Sequence, residues 1–265
     1  MKSNLFSKSS FNNKQRLIVG GVLFVIGLIC SLGFNGLVSA ANLNASGFWG
    51  DAHDATAYDS TRPAQAELVS LHCPVWLAPG EKGSLSAAFK NPNPEKANIL
   101  VKAVVSKSDY VKYRDLTGNL SITPGEGQTF RWQISPQDII GGHFILSRVF
   151  LMDQKRYVLY PVRTMSCGVF VWNFFGLSGT AIVVLFFIIS LMGLAGGSVL
   201  IYCSDSELQR VKPRIDYGLY GLAGILLTAM IANLFNHWIF AGLLWLLGVL
   251  LTTILLVEIV FKENR

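Results

Sequence analysis

Histidine and cysteine are the residue types through which this chain could bind a metal, carry a redox couple or attack a substrate, and it has four of each. Asp51, His53 and Asp54 form a D-x-H-D cluster with ligand chemistry, but it lies in a stretch without sustained hydrophobic period, where a solvated loop is expected. His72 beside Cys73 offers two ligand types of a copper β-sandwich, which wants a second histidine and often a methionine. No clustered Cys-His-Met loop occurs. His143, after Gly141-Gly142, reads as a surface or strand-edge residue. His237, between Asn236 and Trp238, reads as interfacial, and as a haem ligand it lacks an intramembrane histidine partner. No metal and no cofactor are expected.

Catalytic motifs give no better lead. "GLSGT" at 176–180 lacks the G-x-S-x-G spacing, and the sequence has no H-E-x-x-H, phosphate loop or C-x-x-C. Transport and proton relay tend to leave ionisable residues inside apolar segments. Here only Glu258 and the polar Asn233 qualify, and Glu258 can reach toward Lys262 four residues on. An enzyme is not expected.

The elements that must carry these residues are of two kinds. The chain has 265 residues, 51% of them apolar and only 14% charged, where a soluble domain carries about 25% charged residues. The apolar residues cluster in four runs. Leu17–Phe34 follows a basic segment and precedes Val38-Ser39-Ala40, which resembles a signal-peptidase site, so residues 17–41 are a first span or a cleaved signal. Gly168–Tyr202 is too long for one span: as a helix it would reach about 50 Å against a hydrocarbon core of roughly 30 Å. Its first part, 168–176, is aromatic and suits a membrane interface, with Phe170, Trp172, Phe174 and Phe175 as anchors; the span proper is expected at 177–202, with Ser178 as a cap. A polar loop follows at 203–216, with Ser204 and Glu207 at capping-box spacing and Pro213 as a breaker. Two further spans, 217–234 and 239–261, flank the four-residue tip 235–238, which carries Trp238 as another anchor, and so form an antiparallel hairpin.

The formal charge of +6 is a topology signal and not a nucleic-acid footprint. Lys2, Lys8, Lys14 and Arg16 precede the first run; Arg210, Lys212, Arg214, Lys262 and Arg265 flank the later ones; residues 42–168 are nearly balanced, with 13 basic and 11 acidic. The positive-inside rule then places 1–16, 203–216 and 262–265 in the cytoplasm and the polar region outside a cell membrane, whether four spans exist or three. Gly193-x-x-x-Gly197, and Gly218, Gly221 and Gly224, are candidates for close helix packing, within the chain or with a partner's helix. Asn44-Ala45-Ser46 and Asn119-Leu120-Ser121 fit glycosylation sequons, which matter only in a eukaryotic host.

Within the external region, 42–65 reads as a linker and 66–167 as a β-domain. "QTFRWQI" (128–134) alternates as a half-buried strand. "NILVKAVVS" (98–106) is nearly continuously apolar, as a central strand would be. "HFILSRVFLM" (143–152) and "RYVLYPVRT" (156–164) flank "DQKR" as a hairpin. Six to eight short strands separated by Pro-Gly and Asn-Pro turns indicate a sandwich.

The run "LAPGEKGSLSAAFKNPNPEKANILVKAVVS", with "LSITPGEGQTFRWQISP" after it, resembles the Ig-like or fibronectin III-like domains of bacterial surface proteins in its Pro-Gly-Glu and Asn-Pro turns, over about 74–165. That resemblance implies a binding or spacer module. Cys73 and Cys167 stand at the two ends of the domain, on the side where disulfides persist, whereas Cys30 and Cys203 fall in or beside spans. A Cys73–Cys167 bridge is expected, the alternative being two free thiols. The expected protein is thus an extracytoplasmic Ig-like sandwich on a bundle of four transmembrane helices, three if the first segment is a cleaved signal. It is expected to serve binding, adhesion or scaffolding beside other envelope proteins. The alternative is an auxiliary subunit or small transporter whose bundle carries the function.

Overall fold

The structure, a computed structural model, describes residues 13–50, 65–108, 112–152, 161–204 and 213–263. Among them are four helices: α1 (Asn13–Trp49), α2 (Gly179–Ser204), α3 (Pro213–Leu234) and α4 (Trp238–Glu263). α1, α2 and α4 are long and apolar enough to cross a membrane. α3 begins on Pro213, whose missing N–H costs nothing in a first turn. Arg214 and Asp216 occupy that turn, so its apolar part, Gly218–Leu234, is shorter than the other three.

Among the described residues eight strands form two sheets. β1 (Glu67–His72), β3 (Gly83–Lys90) and β6 (Gly127–Ile134) make one, in the order β1-β3-β6. β2 (Trp76–Leu77), β4 (Ala97–Ser106), β5 (Tyr113–Ile122), β7 (Phe144–Met152) and β8 (Pro161–Val171) make the other, in the order β2-β8-β7-β4-β5. All pairs are antiparallel except β2 with β8. One core is shared by both: Leu85 and Phe89 from β3 and Trp132 and Ile134 from β6 lie with Ile99, Val101 and Val105 from β4 and Val149 from β7. Each such side chain, fully buried, contributes about 1.5–3 kcal/mol. β4 is central, as its continuous apolar run anticipates. The second sheet buries its other face too, because Val104, Leu146 and Arg148 point away from the shared core and are also buried.

The chain divides into two compact units. One holds both sheets together with the C-terminal part of α1 from Asn35, the chain up to Val184, and Ile231–Gly242. The other consists of helical segments: α1 up to Phe34, Leu185–Met230, and α4 from Leu243. Its core joins Phe24 of α1, Leu194 of α2 and Leu222 and Leu226 of α3. Within this unit, α1 and α2 run backbone against backbone. A Cβ on Gly27 would lie 2.6 Å from the Leu194 nitrogen, and one on Gly197 would lie 2.7 Å from the Phe24 nitrogen. α2 contains a π-helical turn over Met192–Gly196 at this approach.

Three expectations need correction. Residues 42–49 are not linker but the last two turns of α1. Asn42 and Asn44 donate their carboxamides back to the Val38 and Ala40 carbonyls (3.0 and 2.8 Å), Ala41 and Ala45 are buried, and Gly50 ends the helix at φ 78°. Residues 168–171 are not an interfacial segment but the end of β8. β2 supplies them a second edge, with the Phe170 and Trp172 N–H groups donating to the Val75 and Leu77 carbonyls (3.3 and 3.2 Å). A Cβ built on Gly221 or Gly224 meets nothing within 4 Å, so the close packing expected there is not made within the chain among the described residues; Gly218 does approach Leu255, at 3.2 Å from a built Cβ.

Candidate functional site

The sheet unit is where helices are seated on strands, and each seat is set by a specific residue. On β8, Gly168 lies directly under α1: a Cβ there would run into the Ala41 carbonyl. In its place the Gly168 N–H donates to Asn42 Oδ1 at 3.1 Å. Two turns further along α1, the buried Arg148 guanidinium on β7 donates to the Trp49 and Gly50 carbonyls and to Thr164 Oγ1 (3.1 Å), with the Phe150 ring 5.4 Å from its carbon. A helix C-terminus is a natural place for a cation, because its last carbonyls carry partial negative charge.

At the start of α2 the signs reverse. The Pro79-Gly80 turn, with Gly80 at φ 91°, sets Glu81 so that Oε2 accepts the Ala78 N–H (2.9 Å) and the Gly179 N–H (2.7 Å). A carboxylate therefore meets the N-terminal end of α2, and Gly179 has no Cβ because the Trp76 carbonyl occupies that space. Ser178 caps the same helix, Oγ accepting the Ala181 N–H at 3.3 Å. The α3–α4 turn is tied by Asn236, whose Nδ2 donates to the Leu71 carbonyl at 2.8 Å. Beneath it, Asn233 Nδ2 donates to Asn35 Oδ1 at 2.8 Å, both residues being buried.

Between α1 and the segment 140–146 lies a groove of about 370 Å³, with Leu43, Asn44, Gly47 and Phe48 on one wall and Ile140 and Phe144 on the other. Ile140 and Leu146 pack with Ala45 in a small buried cluster, and Leu146 also lines the groove. Gly141 and Gly142, at φ 59° and 77°, shape its rim. The groove's lining side chains are apolar apart from the Asn44 carboxamide.

The residues singled out from the sequence are scattered across this unit. Cys73 and Cys167 form a disulfide with a Cα–Cα distance of 6.5 Å. It links the chain just after β1 to the middle of β8, not to the domain's last residue. His72 ends β1, and His143 stacks on Trp172 with ring centres 5.6 Å apart; no group of three His, Cys, Asp or Glu suitable for a metal occurs among the described residues. Asp51, His53, Asp54 and Glu207 lie outside the described residues, as does the side chain of Glu258. Of the proposed anchors, Phe170 is buried against Trp76, ring centres 4.7 Å apart, and is a core residue of the sheet unit. Trp172 and Phe175 are exposed, and Phe174 and Trp238 are half-buried. Gly193 and Gly197 sit at the α1 approach already described.

Sequence reasoning missed the seats on α1, β8 and the Pro79-Gly80-Glu81 turn. One signal was available: Ala40-Ala41, Ala45 and two asparagines continue a helix without a breaker until Gly47. It was masked by the signal-peptidase-like triplet just before it.

No protein-family model matches the chain, and no curated protein matches its sequence. Parts of several solved structures are similar to it. The alkylpurine DNA glycosylase AlkC of Pseudomonas fluorescens, bound to DNA containing an abasic site analogue, is 13% identical over 42% of this chain and 31% of its own, with a TM-score of 0.32. A β-glucosidase from Listeria innocua, in complex with glucose, is 14% identical over 42% and 16%, with a TM-score of 0.31. The CARDB domain of a Pyrococcus furiosus protein, in complex with di-metal ions, is 12% identical over 43% and 100%, with a TM-score of 0.33. This chain spans less than a third of the glycosylase and less than a fifth of the glucosidase. Likenesses at this level carry no argument about activity.

Proposed function

We propose that this is an integral membrane protein that holds an Ig-like sandwich against the extracytoplasmic face of a cell membrane, for binding or scaffolding of other envelope proteins. The observation that carries the reading is the inverted burial of the helices. Ile18, Val22, Val25 and Ile29 of α1 and Leu243, Leu246, Leu250 and Ile254 of α4 are exposed, while Ser31, Asn35, Ser190 and Asn233 are buried. Water would drive the opposite arrangement, and hydrocarbon favours this one. The basic residues before residue 17 and those flanking α3 support a cytoplasmic position for those segments.

The Ig-like assignment is supported by strand order. Labelled in the usual way, β1, β3 and β6 correspond to A, B and E on one sheet, and β8, β7, β4 and β5 to G, F, C and C′ on the other. The turns behind the resemblance interlock: Asn91 Nδ2 donates to the Glu95 and Ile122 carbonyls (2.7 and 3.1 Å), and the Gly125 N–H donates to the Asn91 carbonyl (2.9 Å). The disulfide departs from the antibody pattern, since it involves G and the end of A, not B and F.

α1 belongs to this protein as a retained anchor. Cutting after Ala40 would divide a continuous helix between buried Val38 and buried Ala41, and would discard the helix to which Gly193 and Gly197 are fitted. The groove beside α1 is the surface on which binding is to be sought. The full-length protein, carrying a photo-crosslinker at Leu43 in its native membrane, should form a discrete protein adduct that the same group at Thr117 does not. Lack of any adduct at Leu43, or adducts equal at both positions, would contradict the binding reading.

A further inference from the structure

Two turns of the sheet unit present phenylalanine to the surroundings in ways that water does not favour. Between β8 and α2, Asn173 Oδ1 accepts the Gly176 N–H at 3.0 Å and the Leu177 N–H donates to the Phe174 carbonyl at 3.0 Å. This tight turn holds Phe175 at φ 53°, in the left-handed region that a bulky side chain rarely adopts, with 89% of the residue exposed. Its neighbour Phe174 meets the ring edge-on, with ring centres 4.8 Å apart. Between α3 and α4 the left-handed residue is an asparagine and the phenylalanine precedes it. Asn236 takes φ 62° and Phe235 beside it is exposed.

The two turns stand at one end of the sheet unit, because both are seated on the same short stretch of chain. Asn236 bonds to Leu71, and Gly179, just after the first turn, packs on Trp76. No Asp, Glu, Lys or Arg occurs from Thr164 to Ser204 or from Tyr217 to Val257. The turns thus carry no charge of their own; the nearby Glu81 carboxylate is engaged by the Ala78 and Gly179 N–H groups, and α2 and α4 continue from the turns as apolar helices.

We propose that Phe175 and Phe235 are lipid-inserting residues, a two-point foot that seats the sheet unit in the headgroup layer of the bilayer. This rests on the membrane reading above. Aromatic rings are favoured at that depth, where one side is wet and the other apolar. The left-handed turn at Phe175 aims the ring out of the protein, and lipid supplies the burial that the protein does not. Phe170, expected from the sequence to share this role, is excluded by its place in the sheet.

The test places p-benzoylphenylalanine at Phe175, at Phe235 and, as a control, at Leu250 of α4, in the full chain reconstituted in phosphatidylcholine nanodiscs. Illumination should give lipid adducts by mass at all three positions. Adducts at Leu250 with none at Phe175 and Phe235 would overturn the foot while leaving the membrane reading standing. No adduct at any position would overturn both. Protein adducts replacing lipid adducts at Phe175 in native membranes would also overturn it, identifying the rings as a protein contact. A second variant guards against misfolding: Phe175→Asn suits the left-handed turn, and should fold normally yet lower the recovery of lipid adduct at Phe235.

Discussion

The sheet unit and the helical unit obey opposite burial rules along one chain. In the sheets Val101, Val149 and Ile134 are inside, while Thr117, Asn119 and Arg131 are outside. In the helices Ser190 and Ser198 are inside and leucines are outside. Their means of cohesion differ in step. The sheets are held by apolar area, ladders and a disulfide. The helical unit has a small apolar core around Phe24, Leu194, Leu222 and Leu226, and adds backbone approach at Gly20, Gly27, Gly193 and Gly197, a contact of the kind that serves helices where apolar burial gains little. The difference teaches that exposure has no fixed meaning here: the same fraction of exposed surface is tolerated for different reasons in the two units.

That contrast can be broken at several points, and the largest effect belongs to the disulfide. Replacing Cys73 and Cys167 by Ser should lower the stability of the sheet unit by about 2–5 kcal/mol. Thermal melting in detergent, read by near-UV circular dichroism of the tryptophans, would show the loss, and helical content should persist. Next comes Leu250→Lys. Leu250 is 56% exposed, so a surface rule predicts no effect, yet a charge at mid-helix should oppose insertion by about 2.5–3.5 kcal/mol. Membrane-integrated yield is the readout. The matching change Val69→Lys, at 54% exposure on β1, should stay within about 0.5 kcal/mol. Gly27→Leu should cost about 1–3 kcal/mol by overpacking α1 against α2, and proteolysis should find the helical unit loosened while the sheets keep their melting point. The smallest effect expected of a buried group is Asn233→Leu, about 0.6–1.7 kcal/mol from loss of its bond to Asn35.

Much of the sheet unit was legible because period-2 patterns and turn residues are local signals. β4, β6 and the pairing of β7 with β8 follow directly from 98–106, 128–134 and the two strands around 153–160, residues that lie outside the described ones, although β8 runs on to Val171. Cys73 and Cys167 were paired by compartment. The misread parts share one cause: their structure depends on a distant partner. Phe170 is aromatic beside an apolar run, which locally signals an interface, but β2, nearly a hundred residues earlier, turns it inward. Residues 42–49 look like linker until Gly168 and Arg148 provide a seat for α1. Small residues are hard to rank from sequence, since Gly27 and Gly168 are close approaches that no local pattern marks, whereas a Cβ on Gly221 or Gly224, which look equally apt, would meet no neighbouring element of the described chain.

The central claim is that one chain is folded for two solvents, and a nitroxide at Leu250 and at Val69 tests it most directly. Both positions are half-exposed in the structure. With the full chain in nanodiscs, power-saturation measurements should find Leu250 open to dissolved oxygen and closed to a water-soluble nickel complex, and Val69 open to the nickel complex. If the nickel complex reaches both labels alike, the exposed leucines face water and the membrane account is wrong.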